Sequence, residues 1–304
     1  MTTVQPPEAV RSSAAGAAFL LPAYLIWGLS PLYWKLLAHV SSFELLMHRT
    51  IWSLAFLALI LTLQKRGKEI LAVFAHLPTL ARLSATTTIL ALNWYLFIWA
   101  INHDHVLQAS LAYYINPLIM VFFGMVFFKE RLNLLQITAL VIAGAGVGYY
   151  TIFLGEFPWV SIVIAITFAL YGLAHKKMAV LPLPGLFIET LILSLPAGGW
   201  LIWSHIQGQG AMSSVNLSTD LLLVGTCLVT GLPLLIFTIG AKRSSMTTVG
   251  FMQYIAPSCT FLLAVLYYGE PFSAQKLVAF IMIWIALVCY SVDSFRVYRG
   301  LAKS

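Results

Sequence analysis

Two ionisable residues stand inside long apolar runs: Arg49 in FELLMHRTIWS and Glu189 in FIETLILSLP. Near the centre of a bilayer such a side chain costs at least ~2.5 kcal/mol, so each is expected to face protein or water rather than lipid. The chemistry open to them is recognition. A guanidinium can anchor a substrate carboxylate, and a buried carboxylate can take a proton or an amine. The structural alternatives are an Arg49 that snorkels to the headgroups or pairs with Glu44, and an interfacial Glu189. His48 beside Arg49 is a weaker candidate and reads as packing. Arg49 and Glu189 lie 140 positions apart.

The same offset relates two prolines within apolar runs, Pro117 in YYINPL and Pro257 in QYIAPS. A proline inside a helix removes one N–H donor and crowds the carbonyl four residues back, here those of Tyr113 and Gln253. Lipid cannot satisfy such carbonyls, so a ligand, water or a neighbouring helix must. Both prolines are expected to kink their helices. At helical spacing Ser110 and Tyr113 share the Pro117 face, as Gly250 and Gln253 share that of Pro257. The candidate substrate contacts are therefore Trp27, Arg49, Asn93, Tyr113, Tyr114 and Asn116 from one half, with Tyr171, Glu189, Gln253 and Tyr254 from the other. For Asn93, which shares a polar face with Thr86, the alternative is an interhelical hydrogen bond worth about 0.6 kcal/mol.

Other chemistries find little support. Asn102-His103-Asp104-His105 places its groups side by side with no cysteine or further carboxylate, so no metal is expected. No GxxxxGK[ST], HExxH or GxSxG motif is present. The chain is read as non-enzymatic, with no cofactor and no direct use of ATP. Cys227, Cys259 and Cys289 lie in apolar runs and read as packing residues.

The elements that must position these residues follow from hydropathy. The chain has 304 residues, 61% apolar and only 9% charged, and its mean hydropathy is +0.91; soluble domains carry about 25% charged residues. At about 20 apolar residues per crossing there is room for roughly ten spans. They are expected near 17–36, 43–63, 83–101, 108–128 and 134–153, then 157–174, 186–204, 220–240, 247–268 and 275–295. Residues 65–82 read as a partly helical cytoplasmic linker and 205–219 as a polar loop.

The formal charge of +7 reflects topology rather than a nucleic-acid partner, because Lys and Arg are scattered between apolar runs with no basic face. Fourteen of the seventeen fall in inner segments, Lys35 and Lys276 at outer ends, and Arg49 within a span. Basic residues stay on the cytoplasmic side, which gives N-in, C-in. Five spans per half then enter the membrane from opposite sides, the inverted-repeat arrangement of many secondary transporters. Trp27-Gly28-Leu29 is echoed by Tyr171-Gly172-Leu173, and Asn93 falls opposite Pro233. The expected fold is an all-α integral membrane protein of ten transmembrane helices in two inverted five-helix repeats. The tails are 1–16 and 296–304, the repeats 17–154 and 155–295. A GxxxG at Gly144 and Gly148 favours close helix packing but does not specify a homo-oligomer.

The stretches AYLIWGLSPLYWKLL, FELLMHRTIWS, NWYLFIWAINHDHVLQASLAYYINPL, FIETLILSLP and GFMQYIAPSCTFLLAVLYYGEP together resemble the RarD branch of the EamA family, within the drug/metabolite transporter superfamily. The resemblance runs from about residue 17 to 295; Ala112 stands where the family pattern has glycine. It implies a permease of the bacterial inner membrane with a central cavity lined by spans 1, 3, 4, 6, 8 and 9, and with spans 5 and 10 peripheral. It also implies a secondary-active transporter, an exporter of a small metabolite or drug-like molecule working by alternating access, with the proton as the default coupling ion. A passive channel is the alternative reading and an intramembrane enzyme the third.

Overall fold

The computed structural model describes residues 8–102, 106–155, 157–269 and 274–301, and every regular element among them is helical. The first half holds α1 (Glu8–Leu36), α2 (Ser42–Leu63), α3 (Gly67–Ala75), α4 (Leu77–Asn102), α5 (Val106–Phe128) and α6 (Leu134–Leu154). The second holds α7 (Trp159–Lys177), α8 (Pro182–Ile206), α9 (Leu217–Val229), α10 (Gly231–Arg243), α11 (Met246–Gln253), α12 (Ile255–Leu262) with a π-helical turn at Leu263–Tyr267, and α13 (Ala274–Leu301). His103, Asp104, His105 and Glu270, and the side chain of Ser110, lie outside the described residues.

Among the described residues eight stretches are long and apolar enough to cross a membrane, or nine if α3 and α4, which meet at 97°, form one broken span. The count differs from the expected ten at two places. The linker is partly helical, with α3 occupying part of it, while α4 begins at Leu77 rather than near 83. Among the described residues α13 contributes a shorter apolar stretch, Leu277–Asp293.

Helix ends follow local chemistry. Ser41, Asn133, Asn216 and Ser245 each accept a backbone N–H of the first turn of the helix that follows, satisfying donors that have no partner inside the helix. Glu130, just past the end of α5, caps α11. It accepts Met246 N at 2.7 Å, Thr247 N at 3.0 Å and Thr247 Oγ1 at 2.6 Å, where the helix N-terminus favours negative charge.

The expected span 8 is broken at Thr230, midway along Leu217–Arg243, where the backbone turns to φ −122°, ψ −66°. Pro233 explains the position, because it lacks the N–H that would have bonded the carbonyl of Val229. A second interruption, at Tyr254, lies three residues before Pro257. The helix around Pro117, by contrast, runs unbroken from Val106 to Phe128.

Packing crosses between the halves in matched pairs. α2 lies against α8, α5 against α11 and α6 against α13; α1 packs on α10 and α12, while α7 packs on α4 and α5. Lipid tails are as apolar as leucine, so close backbone approach and interhelical hydrogen bonds must supply much of the association. At Gly28 a Cβ would meet Ala256 O at 2.8 Å and Cys259 Cβ at 2.6 Å, and at Gly250 it would meet Pro117 O at 2.7 Å. Gly250→Val therefore forces α11 away from α5. Such overpacking costs about 1–3 kcal/mol, expected as a lower midpoint in thermal unfolding of the detergent-solubilised protein, with Gly199→Val, where a Cβ meets nothing, as the neutral control.

Candidate functional site

Among the described residues, four of the eight buried side-chain polar atoms without a hydrogen bond lie on one stretch of α2. His48 Nε2, Arg49 Nε, Trp52 Nε1 and Ser53 Oγ are all buried without a hydrogen bond, within six residues. Arg49, Trp52 and Ser53 follow at i, i+3 and i+4 and so share a face. The Arg49 guanidinium carbon sits 4.4 Å from the Trp94 ring centroid, and Arg49 makes no hydrogen bond or ion pair among the described residues. Glu44, its alternative partner, is engaged elsewhere. Glu44 accepts Ala211 N at 2.6 Å and lies 3.6 Å from His48 Nε2.

Tyr113 faces this group. It lies within electrostatic reach of Arg49 and packs edge-on against Phe97 of α4 at 5.9 Å. Tyr113 is 45% exposed.

Beyond Trp94 lies a cavity of about 20 Å³ lined by Thr50 and Ser53 of α2, Leu90 and Trp94 of α4, Leu186, Glu189, Thr190 and Leu193 of α8, and Thr230, Gly231 and Leu234 at the α9–α10 break. That is room for about one water molecule. Ser53 Oγ and Thr230 Oγ1 both line it and both lack partners. A larger hollow of about 440 Å³ lies further along α2, beside Lys65, Lys68, Ile70 and Phe187, apart from this polar group.

Glu189 forms the opposite wall and is only 1% exposed. His175 Nε2 is 2.9 Å from Glu189 Oε1 and 3.0 Å from Oε2, Tyr171 OH donates to Oε2 at 3.2 Å, and the Thr86 hydroxyl also meets Oε1. Glu189 is thus a fully enclosed carboxylate rather than an interfacial one, and Tyr171 reaches it rather than open space. Arg49 and Glu189 form no ion pair with each other among the described residues.

The remaining expected contacts are placed differently. Asn93 donates to Ile164 O at 2.8 Å and Thr167 Oγ1 at 2.9 Å, and Asn116 donates to Ala165 O at 2.5 Å, so both amides join their helices to α7. Asn116 Oδ1 and Gln253 Oε1 remain without partners. Tyr114 packs against Tyr150 and Phe280 on the α6–α13 side, and Tyr254 OH donates to the carbonyl of Tyr114 at 3.1 Å. Trp27 belongs to an aromatic cluster with Tyr24, Phe168 and Phe237. Trp52, Ser53, Trp94, Thr230 and His175 complete the group without having been expected as site residues. Two signals pointed to them: Ser53 four residues after Arg49, and His175 four after Tyr171.

The family description "EamA-like transporter family" matches residues 14–152 and again 158–292. A Vibrio cholerae protein named as an uncharacterized transporter is 44% identical over 94% of this chain and 95% of its own length. Protein RarD of Escherichia coli is 37% identical over 96% of this chain and 99% of its own. The Chloramphenicol-sensitive protein RarD of Pseudomonas aeruginosa is 31% identical over 97% and 99%. A solved crystal structure of 19% identity superposes with a TM-score of 0.71 over 92% of this chain and 98% of its own, so the fold is shared. With its apolar helices and bacterial relatives, this is a multi-pass transporter of the inner membrane. The chain belongs to the EamA-like transporter family.

Proposed function

We propose that the chain is a secondary-active transporter of a small amphipathic or aromatic molecule bearing a carboxylate, or a drug-like molecule with an equivalent acceptor group, working by alternating access. The observation that carries this reading is the set of unpartnered donors on α2. Arg49 Nε and Trp52 Nε1 are buried with nothing to donate to. A cation held by an aromatic face alone gains only about 2 kcal/mol when desolvated, and an anionic acceptor between Arg49, Trp94 and Tyr113 would satisfy it better. The proposed contacts narrow to Arg49, Trp52, Trp94 and Tyr113, with Asn116 Oδ1 and Gln253 Oε1 as polar reserves.

The architecture proposed for this activity is ten spans in two inverted repeats, 17–154 and 155–295, with both termini inside. The crossed packing of α1 on α10 and α12 against that of α7 on α4 and α5 supports a twofold relation between the halves. The mid-span break at Thr230 supports a central site, since interrupted helices meet at the midplane in such transporters. A void that admits about one water is consistent with an occluded state and gives no support to a continuous channel. Export is the direction the family resemblance favours, and the proton is the proposed coupling ion.

Purified protein in proteoliposomes is expected to accumulate at least one of L-phenylalanine, phenylpyruvate and chloramphenicol above the outside concentration when a pH gradient is imposed. Equilibration without accumulation would favour the passive facilitator, and no movement of any of them would count against this substrate class. A bound probe at a hundred times its Kd is also expected to stabilise the fold by about 2.7 kcal/mol.

A further inference from the structure

Glu189 and His175 are enclosed by α4, α7 and α8, and their surroundings can serve either protonation state. Thr86 has one hydroxyl hydrogen and two acceptors in reach, Leu83 O at 2.9 Å and Glu189 Oε1. When Glu189 is ionised, Thr86 donates to it. When Glu189 carries a proton, the carboxyl donates to Thr86, which turns its own hydrogen to Leu83 O. Tyr171 OH donates to Oε2, and the imidazole donates to the carboxylate from Nε2. No member of the group loses its hydrogen bonds when a proton arrives or leaves, which is what a buried titrating pair requires.

A way in exists beside it. Glu189 lines the one-water cavity, whose unpaired hydroxyls, Ser53 Oγ and Thr230 Oγ1, are at least nine-tenths buried. A water held by those two atoms would stand between Glu189 and the α2 face that carries Arg49, at the break between α9 and α10.

We infer that the Glu189–His175 pair is the proton-binding site of the transport cycle, exchanging one proton through the Ser53–Thr230 water site; the inference rests on the transporter reading above. The proton enters as hydronium through that water, resides on a Glu189 oxygen or on His175 Nδ1 while Nε2 keeps its own hydrogen toward the carboxylate, and leaves to water when α4 parts from α7 and α8. None of the other charged groups on the elements packed against α8, Arg82 of α4 and Lys68 of α3 included, bonds to Glu189 among the described residues, and several have partners of their own. Glu44 and His48 of α2 face each other and Ala211, and Glu69 of α3 is paired with Arg66. Lys242 of α10 is bound to the Met178 and Val180 carbonyls. Arg49 lies against Trp94, which lines the same cavity. Of the titratable groups, His175 and Tyr171 alone contact Glu189 among the described residues.

The test is infrared difference spectroscopy of the whole protein in lipid nanodiscs between about pH 5.5 and pH 8.5, a range that brackets the ordinary histidine value. The wild type is expected to show imidazolium or carboxyl difference bands that disappear in Glu189→Gln and shift in Glu189→Asp; His175→Gln serves if the first variant fails to fold. In proteoliposomes given a pH gradient, accumulation of L-phenylalanine, phenylpyruvate or chloramphenicol, whichever the wild type concentrates, should collapse to about equal concentrations in Glu189→Gln and His175→Gln. Bands that survive in Glu189→Gln, or accumulation that persists in it, would overturn the inference. A wild type that moves none of the three counts against the transporter reading, and the infrared result then decides the proton site by itself.

Discussion

Arg49→Ala is expected to lower transport of a carboxylate probe about a hundredfold while leaving the protein folded. Each hydrogen bond to a charged group is worth about 1.5–3 kcal/mol, and a guanidinium can offer a carboxylate two in parallel. Losing both costs at least ~3 kcal/mol, or about two decades in the rate of transport at low substrate. Arg49→Lys should recover only part of this, because an ammonium keeps the charge but neither the paired donors nor the stacking on Trp94. The two proposed roles of Arg49 separate in the stability of the variant. Arg49 makes no ion pair among the described residues, so its removal breaks none, whereas breaking a buried pair is destabilising by about 3–5 kcal/mol. An unchanged or raised melting temperature together with lost transport identifies a substrate anchor. A lowered melting temperature with transport intact would identify a structural residue and sink the assignment.

Which parts of this site were legible in the sequence depends on the kind of information each residue carries. Arg49 and Glu189 stand out because lipid makes any intramembrane charge costly, and hydropathy alone finds such residues. Their partners carry a weaker signal, of spacing alone. His175 lies next to Lys176 and Lys177 and reads with them as a topological signal, yet its ring faces inward, one turn from Tyr171. Asn93 and Asn116 have the right polarity for a ligand site. Nothing in the chain says that α7 will offer them the carbonyls of Ile164 and Ala165.

Helix breaks were legible in part. Pro233 interrupts its span at Thr230, whereas Pro117 leaves α5 continuous. Around Pro117, α5 is pressed by α11 at Gly250 and by α7 where Gly172 meets Met120, and such packing can keep a helix continuous through a proline. The residue type marks where a break is cheap; the neighbours decide whether it happens.

The second large effect is expected at the ends of α7 and α10, where two lysines cross. Lys176 donates to the carbonyl of Ser244 and sits 3.5 Å from Ala241 O, at the end of α10; Lys242 donates to Met178 O at 2.9 Å and to Val180 O, just past the end of α7. Each thus covers carbonyls that the last turn of the opposite helix cannot satisfy, where a cation is also favoured by the helix dipole. Glu130 closes the same end by capping α11 while staying within electrostatic reach of Lys176. On the proposed orientation this end is cytoplasmic, so the clasp shuts the inner side of the pathway. Replacing Lys176 or Lys242 by methionine keeps much of the volume and removes about 1.5 kcal/mol of charge-assisted bonding, which favours opening about tenfold; the double variant should reach about a hundredfold. The readout is the rate at which a maleimide applied from the cytoplasmic side labels Leu234→Cys, a position on the wall of the central cavity, with Cys227, Cys259 and Cys289 replaced by alanine. A clasp that breaks only in states open to the inside predicts that transport by the double variant becomes leaky and loses its dependence on an imposed pH gradient. Labelling at the unmodified rate in both single variants and the double would show that the two helix ends are held together by packing alone.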